Sequence, residues 1–205
     1  MKTQLYLITP PKIDLPVFAD TLAETLDGGA VACVQLRLKD VSDDDVRRAC
    51  EKLCPIVQDR EIAFVLNDRP DIAREMDCDG VHIGQDDTPY AQAREIIGPN
   101  AIIGVTCHDS KHLAMVAGEQ GADYVAFGAF FPTDTKEAKT QADPSLLHWW
   151  STMFEVPCVA IGGITTENAP ALIDAGVDFL AVCGGIWQHQ KGPIEAVKCF
   201  NNLTD

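Results

Sequence analysis

Three features of the 205-residue sequence predict a closed (β/α)8 barrel of the TIM type. Eight short apolar runs rich in Val, Ile and Phe recur along the chain, a longer amphipathic segment follows each, and no linker or composition shift interrupts the series. Strict strand-helix alternation implies parallel strands covered by helices. Eight uninterrupted units favour closure over an open doubly wound sheet, and a single compact domain over residues 1–205 is expected. Such barrels typically take about 250 residues, so insertions here must be few.

The elements follow in order. The run LYLIT precedes the helical pattern VFADTLAETL. VACVQLRL precedes DDDVRRACEKLCPIV, where Ser42 and Asp45 have capping-box spacing. IAFVLN is followed near DIAREM by what must be a short helix. GVHIG leads to PYAQAREII, with Thr88 as N-cap and Pro89 as the first helical residue. AIIGVT and KHLAMVAGEQ, YVAFGAF and LLHWWSTM, PCVAIGG and NAPALIDA, FLAVCGG and PIEAVKCFNNL complete the set. A weak repeat, CDGVHIG, ADYVAFG and VDFLAVCGG, puts an acid before an apolar run that ends in glycine. In a barrel those run ends lie at the catalytic face, where glycine lets backbone approach a ligand.

Composition narrows the function. A content of 46% hydrophobic and 23% charged residues is that of a soluble globular protein. No run is long enough to span a bilayer. Pro10 and Pro11 interrupt the N-terminal apolar run before a signal-peptide core develops, so the cytoplasm is the expected location. The net charge of −15 argues against nucleic acid or an anionic membrane as partner and leaves a homo-oligomer open. Eight cysteines without an export signal or a C-x-x-C pair predict neither disulfides nor a zinc site.

Against this acidic background CVQLRLKD, residues 33–40, stands out. Strand side chains alternate faces, so Val34, Leu36 and Leu38 pack outward and Gln35, Arg37 and Lys39 point into the barrel. Lys39 is nearest the rim, with Gln35 roughly 13 Å deeper. Inward polar groups need partners, either a network of their own with nearby carboxylates or a ligand.

The third run ends in Asn67 and Asp68, and the fourth in Asp86 and Asp87. Acids on neighbouring strand ends suit a magnesium ion held by oxygen ligands, although each acid alone reads equally as a helix cap. After the sixth run, FGAFFPTDTKEAKT offers hydroxyls, amides and a cation to an anion, or forms a plain surface turn. Glycine pairs end runs seven and eight, where barrels most often bind phosphate through backbone N–H groups. His82, inward on the fourth strand, and His108, just beyond the fifth, read as hydrogen-bonded core or rim residues. Trp149 and Trp150 read as helix packing.

VQLRLK, NDRPDIA, DGVHIGQDD, GVTCH, GADYVAFGAFFPTDTK, VAIGGIT and AGVDFLAV occur in an order and spacing that resemble the thiamine phosphate synthase family, from about residue 5 to 186. The most specific parts are Q-x-R-x-K, the N-D pair, G-Q-x-D and P-T-x-T-K. The resemblance implies a barrel that joins hydroxymethylpyrimidine diphosphate to thiazole phosphate, releasing pyrophosphate and forming thiamine monophosphate. It implies that Gln35, Arg37, Lys39, Asn67 and Lys136 hold the pyrimidine diphosphate and that Asp68 and Asp87 bind Mg2+. Thr106 would sit beside the pyrimidine, while Thr133, Thr135, Gly163, Cys183 and Gly184 would hold the thiazole phosphate. Arg37, Lys39, Lys136 and Thr106 would be the catalytic groups. Thr106 stands where the family usually has serine, Leu38 replaces a common acid, and Cys183-Gly184 replaces an apolar-serine pair. Two other readings compete: a thiazole tautomerase of the same barrel family, which would not need the full diphosphate set, and a non-catalytic sensor of phosphorylated ligands.

Overall fold

The computed structural model describes residues 2–133 and 140–204. Eight parallel strands close into one barrel in sequence order, β1 (Gln4–Ile8), β2 (Cys33–Leu36), β3 (Ala63–Asn67), β4 (Gly80–Ile83), β5 (Ile102–His108), β6 (Tyr124–Gly128), β7 (Cys158–Ile161) and β8 (Phe179–Val182). β8 pairs with β1, Tyr6 opposite Ala181, so the barrel has no free edge.

Helices alternate with the strands: α1 (Leu15–Leu26), α2 (Asp43–Gln58), α3 (Pro70–Glu75), α4 (Tyr90–Ile97), α5 (Lys111–Gln120), α6 (Pro144–Met153), α7 (Ala169–Asp174), α8 (Gly184–Trp187) and α9 (Pro193–Thr204). The capping box at α2 forms as its spacing predicts, Ser42 Oγ accepting from Asp45 N–H and Asp45 reaching back to Ser42 N–H. α3 has only six residues, as the chain length requires. α4 begins at Tyr90, with Pro89 at the N-cap position; the expected Thr88 cap is displaced by one residue. β2 also ends sooner than its apolar pattern suggests, so Arg37 and Lys39 leave on the connection to α2. His108 closes β5 rather than lying beyond it.

Alternation sorts the side chains as expected. Val34 and Leu36 join the outer core beneath the helices, whereas Tyr6, Ile8, Cys33, Val65, Tyr124, Ala126, Val159 and Ala181 fill the barrel interior. A Cβ on Gly104 would fall 1.9 Å from the Tyr124 ring, so the missing side chain on β5 makes the room that this ring occupies. Trp150 is fully buried and stacks on Phe154, and Trp149 packs against the same outer core.

The acids of the internal repeat act at the opposite end of the barrel from the glycines. Asp79 Oδ2 accepts from Phe64 N–H at 2.7 Å, Asp123 Oδ2 from Ile103 N–H at 2.8 Å, and Asp178 Oδ2 from Cys158 N–H at 2.8 Å. Each therefore satisfies a backbone donor at the start of the preceding strand. All eight cysteines are free. Among the described residues no helix is long and apolar enough to cross a membrane.

Candidate active site

Parallel strands bring all their C-terminal ends to one face, and the predicted site residues within the described part of the chain lie on or just below that face. Thr9, directly after β1, is fully buried and ties two neighbours together. Its Oγ1 accepts from Arg37 N–H at 2.9 Å, and its carbonyl accepts from Cys183 Sγ at 3.6 Å. Lys39 N–H donates to the Pro11 carbonyl at 2.9 Å. These bonds hold the chain against the β1 exit after the β2 ladder has ended.

Arg37 is half-buried, and its Nη1 is buried with no hydrogen-bond partner among the described residues. Leaving such a donor unmet costs on the order of 1–3 kcal/mol, so the position suits an anionic oxygen brought by a ligand. Lys39 Nζ lies 2.8 Å from Asp68 Oδ2. Asp68 has a left-handed backbone, φ 67°, and its N–H donates to the His82 carbonyl at 2.8 Å, a turn that carries its carboxylate toward Lys39. Asp87 Oδ2 accepts from Gly84 N–H at 2.8 Å.

The Asp68 and Asp87 carboxyls are near enough to shift each other's ionisation. Burial opposes ionisation of Asp68, yet Lys39 and the Asp87 carboxyl hold it below the usual carboxylate range. Burial, and then the charge of Asp68 working against the Gly84 N–H, pushes Asp87 up. A crowded carboxyl pair of this kind is relieved by a hard divalent cation. Among the described residues no three or more His, Cys, Asp or Glu side chains converge on a metal position. Asp68 and Asp87 supply carboxylate oxygens, the donor type of an ion that takes two protein carboxylates and completes its shell with water and phosphate, as magnesium does. Asn67 ends β3 opposite His82 in the ladder.

Below this rim a polar chain crosses the barrel. Gln35 Nε2 donates to Tyr6 Oη at 3.0 Å; the Tyr6 and Tyr124 hydroxyls are 2.8 Å apart; Tyr124 Oη is 3.0 Å from His82 Nδ1; and His82 Nε2 is 2.7 Å from Thr106 Oγ1. The His82 ring stacks on Tyr124 with centroids 5.6 Å apart. A register shift between Thr106 and His108 interrupts the β5–β6 ladder, and Gln85 Nε2 donates to the Thr106 carbonyl at 2.6 Å. Strand alternation places Gln35 and His82 inward and the family resemblance adds Thr106, but neither points to Tyr6, Tyr124 or Thr9. The only signal for the tyrosines was a hydroxyl-bearing ring on the inward face of an apolar strand.

The second group of predicted residues lies at the exits of β6 to β8. Gly163 has φ 62°, and a Cβ there would fall 2.3 Å from the Pro132 carbonyl oxygen, so the β7 exit packs directly on the segment that leads to Thr133. Asn168 Nδ2 donates to the Gly163 carbonyl at 2.9 Å. Cys183 is half-buried just past β8, at the N-cap position of α8, rather than within the strand. Gly184 opens α8, which Trp187 anchors by donating Nε1–H to the Ile8 carbonyl at 2.6 Å. Two glycines at the start of a helix gave no helical signal. Thr135 and Lys136 lie outside the described residues. A recess of about 440 Å3 bordered by Lys12, Leu38, Asp40, Val41 and Arg48 contains none of the predicted site residues.

Comparison with known proteins shows the family and the fold. A family model described as thiamine monophosphate synthase matches residues 5–186. The chain is 66% identical over 200 residues to a thiamine-phosphate synthase of Rhodospirillum centenum, covering 98% of this chain and 97% of that protein. It is 49% identical to one from Hyphomonas neptunium, covering 100% of this chain and 95% of the relative. Among solved structures it is similar to the thiamine phosphate pyrophosphorylase of Pyrococcus furiosus, with TM-score 0.86, 31% identity, and coverage of 98% of this chain and 95% of that one.

Proposed function

The chain belongs to the thiamine-phosphate synthase family, and we propose that it joins 4-amino-2-methyl-5-hydroxymethylpyrimidine diphosphate to thiazole phosphate, giving thiamine monophosphate and pyrophosphate by a dissociative mechanism. The observation that carries this reading is the buried Arg37 Nη1, without a partner among the described residues, in the same barrel mouth as Lys39 and the Asp68–Asp87 pair. An acidic protein that places Arg37, with its unmet Nη1, and Lys39 at one strand exit has a cationic spot suited to a polyanion.

Asp68 and Asp87 would hold a magnesium ion, whose chemistry is to neutralise charge on the diphosphate. Arg37, Lys39, Asn67 and Lys136 would bind the diphosphate, and the cationic side chains would stabilise the negative charge that grows as the methylene C–O bond breaks. The bonding pair departs with the pyrophosphate, leaving a cation delocalised into the aminopyrimidine. Gln35 and Thr106 would hold that ring. Thr133, Thr135, Gly163, Cys183 and Gly184 would hold the thiazole phosphate so that the ring nitrogen lone pair lies in line with the methylene carbon and forms the new C–N bond. No protein base is needed for that capture. The partners on this reading are two small phosphorylated molecules.

The test is to incubate the purified chain with both substrates and Mg2+ and to measure thiamine monophosphate and pyrophosphate together. Stoichiometric appearance of the two products is expected. No product at any Mg2+ concentration overturns the reading, and isomerised thiazole phosphate alone would favour the tautomerase.

A further inference from the structure

The polar chain through the barrel has a direction. Each phenol carries one proton, and a neutral imidazole carries one N–H and one bare nitrogen. Gln35, Tyr6, Tyr124, His82 and Thr106 are joined by four contacts of 2.7–3.0 Å, each short enough for a full hydrogen bond. Gln35 donates its Nε2–H to Tyr6 Oη. The Tyr6 proton then goes to Tyr124 Oη, and the Tyr124 proton to His82 Nδ1. His82 must carry its own proton on Nε2, donated to Thr106 Oγ1, so the Thr106 proton is free to be given away from the chain.

The opposite order is equally complete, but it requires the Gln35 amide to turn its carbonyl toward Tyr6. With a neutral imidazole any mixed order leaves one contact with two protons or none, which a dry interior penalises, and a charged imidazole likewise requires the Gln35 carbonyl to face Tyr6. The Cys33 thiol beside Tyr6 is a weak donor and a weak acceptor, no match for the oxygen and nitrogen partners of the chain. The amide orientation on β2 is thereby coupled to the hydroxyl polarity on β5 through three side chains that need not touch substrate.

We propose that Tyr6, Tyr124 and His82 are positioning residues that set the hydrogen-bond polarity of the substrate pocket, with His82 donating from Nε2, the Gln35 carbonyl left as an acceptor toward the ring and Thr106 as a donor. This rests on the assignment of Gln35 and Thr106 to the pyrimidine. An aminopyrimidine presents amine donors beside ring-nitrogen acceptors, and this polarity matches it. A 4-oxo-pyrimidine presents the inverse pattern and is rejected.

Two measurements test the proposal. The first uses the wild-type chain labelled with 15N-histidine, the His82 signals being assigned by their loss in His82→Asn. The long-range 1H–15N pattern at neutral pH should be that of Nε2–H; an Nδ1–H or imidazolium pattern overturns the proposal. The second compares kcat/KM for the amino and 4-oxo pyrimidine diphosphates in the wild type, Tyr6→Phe and Tyr124→Phe, which keep both rings. The preference for the amino form should fall by about tenfold or more in each variant. An equal loss on both compounds, leaving the preference unchanged, marks a merely structural role and overturns the proposal. Should the wild type turn over neither compound, the synthase reading fails separately. The histidine spectrum still decides the tautomer, and calorimetric Kd values for the two diphosphates replace kcat/KM.

Discussion

Lys39 and Asp68 meet at 2.8 Å at the barrel mouth, joining the chain that leaves β2 to the left-handed turn that leaves the neighbouring β3. Both side chains stay partly exposed, at 40% and 28%, so the pair contributes at most about 1 kcal/mol to stability. Its importance is positional, since it holds a cation beside the acids proposed for the metal. Asp68→Asn and Lys39→Ala should each lower kcat by about 10²–10³-fold, the usual effect of losing one aligned electrostatic group. Thermal melting should move by only a few degrees. Pyrophosphate release and a melting curve on the same samples check this, and wild-type turnover by Asp68→Asn at saturating Mg2+ would remove that residue from the site.

Asp79, Asp123 and Asp178 should show the reverse pattern. Each accepts a strand-start N–H at the face away from the site, where barrel residues serve stability rather than chemistry. Alanine at any one leaves a backbone donor without its acceptor and should cost about 1–3 kcal/mol. The three lie in separate strand pairs, so Asp123→Ala and Asp178→Ala together should lose nearly the sum of the single losses. Urea midpoints measure the loss, and kcat at 25 °C should stay at the wild-type value in each single variant.

These two groups of acids show what the sequence made legible. The eight-unit alternation was readable because strand and helix periods are local, and the inward facing of Gln35 followed from alternation alone. The acids of the repeat were visible as a pattern, but which backbone they serve depends on the strand they pair with, a non-local fact. Asp68 was readable as a strand-end acid. Its left-handed turn and its contact with Lys39 required the closed barrel. Tyr6 and Tyr124 were hidden because an inward tyrosine reads as an apolar residue until its hydroxyl partner on a distant strand is known.

The buried thiols predict a pH dependence. Burial pushes Cys33, Cys107 and Cys158 up to about 12 from an ordinary value of 9.0. In the unfolded chain these thiols ionise near pH 9, while in the fold they stay protonated. Above pH 9 the unfolded state therefore binds fewer protons than the native state, and unfolding becomes easier as pH rises. The stabilising difference is fully present below pH 9 and is lost as pH climbs toward 12, at about 1.4 kcal/mol per pH unit for each thiol. Urea unfolding at pH 8, 9, 10 and 11 should show this decline, and Cys158→Ala should flatten the slope above pH 9 by one thiol's share. An unchanged slope in that variant would mean the Cys158 thiol ionises normally in the fold.

Glycine substitutions separate the two ends of the proposed substrate site. Among the described residues an added Cβ at Gly184 meets the end of the Gln188 side chain, Oε1 nearest at 3.4 Å, whereas at Gly163 it would lie 2.3 Å from the Pro132 carbonyl on a backbone with φ 62°. Gly184→Ala should therefore fold normally and act through the ligand, raising KM for thiazole phosphate about tenfold with little change in kcat, as expected when binding common to ground and transition states is lost. Gly163→Ala strains the fold as well and should lower the urea midpoint together with thiazole phosphate affinity. Lys136→Ala removes a cation assigned to the leaving group and should depress kcat by about 10²-fold while leaving KM for thiazole phosphate near the wild-type value. Single-turnover kinetics with each substrate varied in turn measures all three variants. Equal effects of Gly184→Ala and Lys136→Ala on both constants would show that the diphosphate and thiazole ends have been assigned to the wrong strand exits.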